Sequence, residues 1–134
     1  MPRTLIDPDP LHEAPGFSHI AIAEVGEGSR LVCLAGQVAL DKEFKLIGGD
    51  DLRAQTVAAM NNVTTALEAA GASWDDVIRR TIYTKQPGDF TVIAEAIESV
   101  LGSGNQPPQT ILGVTGLVMP ELLIEIEVTA LLKG

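Results

Sequence analysis

Residues 122–131, Leu-Leu-Ile-Glu-Ile-Glu-Val-Thr-Ala-Leu, alternate in character with a period of two. That period is the signature of a β-strand, in which successive side chains point to opposite faces of a sheet. Ile124, Ile126, Val128 and Ala130 share one face and form an ordinary core surface. Leu123, Glu125, Glu127, Thr129 and Leu131 share the other. A solvated face has no need of the leucines, and a dry core does not hold unpaired carboxylates without a large desolvation cost. The second face is therefore expected to meet another subunit or a ligand. What Glu125 and Glu127 face becomes the central functional question.

The rest of the chain supplies partners for this strand. Residues 1–15 carry four prolines (Pro2, Pro8, Pro10, Pro15) and read as an irregular arm. His19–Val25 reads as a first strand, Gly26–Ser29 as a turn, and Leu31–Leu40 as a second strand or strand pair. Gly36 within that pair suggests a bulge or a close approach to the backbone. Asp50 or Asp51 is placed to cap a helix ending near Ala70 and stopped by Gly71. Its apolar stripe is Leu52, Thr56, Ala59, Met60, Val63, Leu67 and Ala70. Ser73–Asp76 forms a capping-box pattern, and Val77–Thr84 reads as a strand. Asp89 is placed to cap a second helix through Leu101, with Phe90, Ile93, Ile97 and Val100 inward. A Gly/Pro-rich loop then delivers Gln109 to the next strand. The order predicts one α+β domain over residues 1–134, with about six strands in a mixed sheet and two helices on one face. No further segment is left to cover the other face, so a homo-oligomer is expected.

Composition narrows the function classes. The chain has 134 residues, 46% of them hydrophobic, and no apolar run near the roughly 18 residues that a membrane span needs. A single cysteine, Cys33, excludes an intramolecular disulfide and a cysteine-based metal site. Its setting between Val32 and Leu34 predicts a small buried hydrophobe. The N-terminus lacks the apolar core of a secretory signal, and a cytoplasmic protein is expected. The net charge of −9, with nine scattered Lys and Arg, argues against a nucleic-acid partner, which calls for a clustered basic surface.

An ordered set of short motifs resembles a known family. The set is Gly16-Phe17-Ser18-His19, Leu34-Ala35-Gly36-Gln37-Val38, Gln55-Thr56, Leu67-Glu68-Ala69-Ala70-Gly71-Ala72-Ser73, Asp75-Asp76-Val77, Asp89-Phe90 and Ile124-Glu125-Ile126-Glu127. Over residues 16–132 the chain resembles the RidA/YjgF family, also known as endoribonuclease L-PSP or translation-initiation-inhibitor-like proteins. The resemblance implies a chorismate-mutase-like α+β fold and a homotrimer with sheets inward and ligand clefts between subunits. It implies hydrolysis of 2-imino or enamino acids to keto acids and ammonia, with no metal or organic cofactor. In the family an arginine at the start of the fifth strand binds the substrate carboxylate, and backbone near the Ala-Gly-Gln segment holds the substrate. The first glutamate of Ile-Glu-Ile-Glu positions the attacking water. An aromatic hydroxyl near the N-terminus and an asparagine on the second helix often line the cleft.

On this pattern Glu125 is the candidate catalytic residue and Gly36 the backbone contact. The arginine position is Gln109, the aromatic hydroxyl position is Phe17, the position two past the arginine is Ile111, and the asparagine position is Ala94. Gln109 offers one neutral amide where arginine offers two parallel charged donors, each charge-assisted bond contributing about 1.5–3 kcal/mol. Each residue also has an ordinary structural reading. Glu125 can make a buried inter-subunit hydrogen bond or salt bridge, Glu127 reads as a structural partner, and Gln109 either binds a neutral or amide-bearing ligand through its amide or is a satisfied strand-start residue. His19 reads more readily as a hydrogen-bonded structural residue than as an acid or base. Of Arg79 and Arg80, adjacent on one strand, at most one can reach a given face, and a solvated or ion-paired role is expected. Three readings follow: a RidA-like imine or enamine hydrolase with weak or absent activity on ordinary 2-imino acids, a trimeric small-molecule-binding protein, and, least favoured by the acidic charge, an endoribonuclease or translation inhibitor.

Overall fold

The computed structural model of the chain describes residues 3–134. Six strands and two helices follow in the order β1 (Thr4–Ile6), β2 (Ile20–Ile22), β3 (Arg30–Cys33), α1 (Leu52–Ala69), β4 (Val77–Thr84), α2 (Phe90–Leu101), β5 (Gln109–Gly113) and β6 (Ile124–Leu132). The expected α+β class and mixed sheet are observed, with a refinement. The six strands form a four-stranded sheet, ordered β3-β6-β4-β5, and a separate two-stranded sheet of β1 and β2. Among these strands only β4 and β5 run parallel, a pairing that needs the crossover connection α2 provides. The N-terminal arm is thus less irregular than its prolines suggest. Thr4–Ile6 pairs with Ile20–Ile22, and the proline-rich stretch with Pro8, Pro10 and Pro15 connects the two strands.

The period-two reading of the last strand holds. Ile124, Ile126, Val128 and Ala130 are buried beneath the helices with Met60, Val63, Leu67, Ile93 and Ile97. Each such aliphatic side chain contributes about 1.5–3 kcal/mol by leaving water. In α1 the Asp51 carboxylate accepts from the backbone N–H groups of Arg53 and Ala54, and Gly71 closes the helix at φ +78°. Ala70, expected on the buried stripe, is exposed just past the last turn. Asp89 makes no side-chain cap, because a 3-10 turn over Pro87–Asp89 leads directly into α2, and Phe90 lies exposed at its start.

The other sheet face is only partly covered. Leu123, Glu125, Glu127 and Thr129 are half-buried there, while Leu31 is 66% and Leu112 42% exposed. Leu131, at the far end of this face, is buried. Cys33 also lies on this face and is exposed, contrary to the expectation of a buried hydrophobe, because its alternation places Val32 toward the core instead.

One buried polar residue sets the entry into β6. The Gln55 side chain has no exposed surface; its amide donates to the carbonyls of Gly49 and Glu121 and accepts from the Leu123 N–H. It thereby ties the start of α1 to the residues just before Glu125. Gln55→Met leaves these groups without partners and is expected to lower the unfolding free energy by about 3 kcal/mol, measured by urea denaturation.

Candidate functional site

Glu125 lies on the half-covered face, and its position depends on a bulge in the opposing chain. Cys33 faces Thr129, but Gln37 faces Ile126, bonded in both directions at 2.7 and 2.9 Å. Three steps along β6 are therefore matched by four on the other side, so one extra residue bulges out at Ala35-Gly36. The Glu125 carboxylate occupies the space above Gly36. A Cβ built on Gly36 would stand 2.0 Å from Oε2 and 2.7 Å from Cδ of Glu125. The glycine is thus required for the approach of a side chain, since its φ is not in the left-handed region. The two residues singled out in sequence, Glu125 and Gly36, are brought into contact.

Burial pushes the Glu125 carboxyl up from the ordinary glutamate range, and the neighbouring Glu127 charge pushes it further. Glu127 itself is engaged. The Tyr83 hydroxyl donates to Glu127 Oε1 at 2.5 Å, and this bond, with burial and the two carboxylates, raises the phenol pKa. Tyr83 faces Glu125 directly across the β4–β6 ladder. Sequence reading passed over Tyr83, although the alternation Arg79-Thr81-Tyr83 against Arg80-Ile82-Thr84 places it on the glutamate face. Beside this group a depression of about 200 Å³ is lined by Cys33, Arg79, Thr81, Glu127 and Thr129.

Gln109 stands on the opposite face. It pairs with Arg80 across the parallel β4–β5 ladder, and Arg80 Nε donates to Gln109 Oε1 at 2.6 Å. Arg80 has 0% exposed surface. Its other bonds run to Gln106 Oε1 at 2.9 Å and to the Gly16 carbonyl at 2.9 Å, and its guanidinium carbon lies 5.7 Å from the centre of the Trp74 ring. The expectation of a solvated or ion-paired arginine is corrected on this point, since these partners are neutral oxygens. Burial, and then the positive charge of Arg3, push the Arg80 pKa down to about 9, so the group remains charged at neutral pH. Arg79 is the exposed member of the pair.

The remaining candidates cluster with Arg80 or behind it. Phe17 follows Gly16, and the ideal Cβ position of Gly16 lies 3.5 Å from the Ala94 Cβ. Phe17 also packs edge-on against His19 at 5.5 Å. A hollow of about 270 Å³ is lined by Gly16, Phe17, Ser18, Asn105 and Gln106 together with the end of α2. Ile111 pairs with Ile82 and packs against the helix-side core. The His19 ring Nε2 donates to the His12 carbonyl at 2.7 Å and its backbone N–H donates to Asp7 Oδ1 at 2.8 Å, the structural role expected for it. The candidate residues thus form two groups: Glu125 and Gly36 on one face of the sheet, and Gln109, Phe17 and Ala94 on the other side or its edge.

The raised Glu125 pKa carries a stability consequence whose sign is fixed. A carboxyl that binds its proton more tightly when folded stabilises the protein below its unfolded pKa, and that contribution is lost as pH rises through the folded value. Glu125→Gln is therefore expected to raise resistance to urea near neutral pH. The difference from wild type should close below about pH 4, where both side chains are uncharged.

Residues 11–132 match the family model described as Endoribonuclease L-PSP. A RutC family protein of Pyrococcus horikoshii is 35% identical over 97 residues, covering 72% of this chain and 75% of the relative. Among solved structures, YyfB of the conserved Rid family from Yersinia pestis superposes with a TM-score of 0.89 at 36% identity, over 98% of this chain and 100% of that one. The YjgF gene product of E. coli superposes with a TM-score of 0.67 at 27% identity, over 79% of this chain and 83% of that one. With an ordered motif set, a matching fold and these relatives, the chain belongs to the RidA/YjgF (endoribonuclease L-PSP) family.

Proposed function

We propose that the protein is a cofactor-independent hydrolase acting on a small imine, enamine or related carbonyl–nitrogen compound, in clefts between the subunits of a homotrimer. Glu125 positions the attacking water, and Gln109 stands where a carboxylate-binding arginine is expected. The observation that carries this reading is the seat of Glu125: a half-buried carboxylate with a raised pKa, held over a glycine that leaves room for nothing else. A base with a raised pKa accepts a proton more readily. In the proposed step, water adds to the electrophilic carbon of C=N as Glu125 takes its proton. The resulting amino alcohol collapses to the carbonyl compound and ammonia, with the proton returned to the leaving nitrogen. The separation of Glu125 from Gln109 across one sheet supports a cleft completed by a second chain.

A specific observation also favours a second reading, a trimeric binding protein with little turnover. Arg80 has no exposed surface, so the cation nearest the Gln109 position does not reach a ligand directly. The endoribonuclease reading, suggested by the name of the family model, ranks below both because the net charge is −9.

Gln109→Arg alone would set two guanidinium groups against each other, so the exchange Arg80→Gln/Gln109→Arg is the appropriate test of the missing clamp. Wild type is expected to hydrolyse enzymatically generated 2-iminopropionate weakly or not at all. The exchanged protein should gain at least about tenfold, the return of one charge-assisted bond. Glu125→Ala in that background should abolish the gain. Gly36→Ala, which displaces the Glu125 carboxylate, is expected to cost about a hundredfold in rate on any substrate found. An exchanged protein that is folded and silent would favour the binding reading.

A further inference from the structure

The amide of Gln109 has only one orientation compatible with its neighbour. Arginine carries donors and no acceptor, so the atom 2.6 Å from Arg80 Nε is the amide oxygen. Arg80 is held in turn by Gln106 Oε1 and the Gly16 carbonyl, and Gln106 is fixed because its own NH₂ donates to the Gly102 carbonyl at 3.2 Å. Ser18 Oγ donates to the Gln106 main-chain carbonyl at 2.6 Å, locking the loop that carries Gln106 and leads into Gln109 at the start of β5. The guanidinium therefore cannot turn, and it cannot release the Gln109 oxygen without stranding a buried donor. Gln109 is half-buried, and among the described residues its NH₂ has no protein acceptor.

We infer that Arg80 is a positioning residue that commits Gln109 to act as a hydrogen-bond donor, and that the ligand group meeting it is a neutral carbonyl oxygen, as in an ester or amide, in place of a carboxylate. An NH₂ group presents a donor to such an oxygen and rejects a ligand N–H. It lacks the paired charged donors that offset the desolvation of a carboxylate, and Arg80 is too buried to supply them. The substrate class is then an imine or enamine whose neighbouring acid function is masked as a neutral carbonyl. The inference rests on the proposed function only in taking the Gln109 surface as part of the ligand cleft.

The test uses keto compounds and needs no turnover, so a failure to find catalysis does not decide it. Methyl pyruvate and pyruvate are titrated into the full-length protein while the side-chain NH₂ resonances of Gln109 are followed by NMR. Methyl pyruvate should bind at least about fivefold more tightly than pyruvate and shift those resonances saturably. Gln109→Glu keeps the contact with Arg80, and so the fold, but removes the donor; it should weaken methyl pyruvate binding about tenfold. Arg80→Met should remove the preference for methyl pyruvate, and if that variant does not fold, Gln109→Glu decides alone. Equal or tighter binding of pyruvate, the absence of saturable binding of either compound, or unchanged affinity in Gln109→Glu overturns the inference.

Discussion

A guanidinium with no solvent access is among the most expensive groups a small protein can bury, and here one joins four segments of the chain. Arg80 reaches from the middle of the sheet to the N-terminal arm at Gly16, to the loop at Gln106, to the start of β5 at Gln109 and to the ring of Trp74. Its desolvation is offset by three oxygen acceptors and a ring face, each with a fixed place in the fold. The N-terminal arm also docks beside β5 through the bridge between Ser18 and Pro108. Arg3 repeats the device nearby, donating to the carbonyls of Trp74, Val77 and Asn105. Two buried arginines thus tie residues 3–20 to the end of the sheet where the predicted clamp position lies.

The same strand that buries Arg80 presents Tyr83 on its other side. The two faces of β4 divide the chemistry: a positive, dry end holding Gln109, and a carboxylate group made of Glu125, Glu127 and the Tyr83 hydroxyl. Each side is built by close fit. The bulge at Gly36 makes the space that Glu125 fills, and Gln55 holds the turn from which β6 enters. In our proposal a second copy of the chain brings one side against the other, which explains why a catalytic arrangement does not close within a single sheet.

Much of this was legible in the residues. The alternation of 122–131 identified the central strand and both of its faces, and the helical stripes and glycine stops located α1 and α2 to within a residue or two. Gly36 was identified as a bulge or close approach, and it is both. Short-range patterns carry such features because they depend on backbone periodicity and on the missing Cβ. What the pattern did not give depends on long-range pairing. The small β1–β2 sheet joins segments on either side of a proline-rich stretch, and Thr4–Ile6 alone has no distinguishing signal. The burial of Arg80 is not legible in the sequence, since arginine is seldom fully buried. Its apolar neighbours at alternate positions, Ile78 and Ile82, are the available hint. The exposure of Cys33 is hidden by its apolar flanks Val32 and Leu34, since neighbours on a strand lie on the opposite face.

The most direct test of the central claim is a crystal structure of the assembled protein soaked with methyl pyruvate. The account predicts a trimer in which the ligand's ester oxygen accepts from Gln109 of one subunit while its keto carbon lies beside a water held by Glu125 of the neighbouring subunit. Glu125 and Gln109 lining separate surfaces of the assembly, with no common cleft, would contradict it.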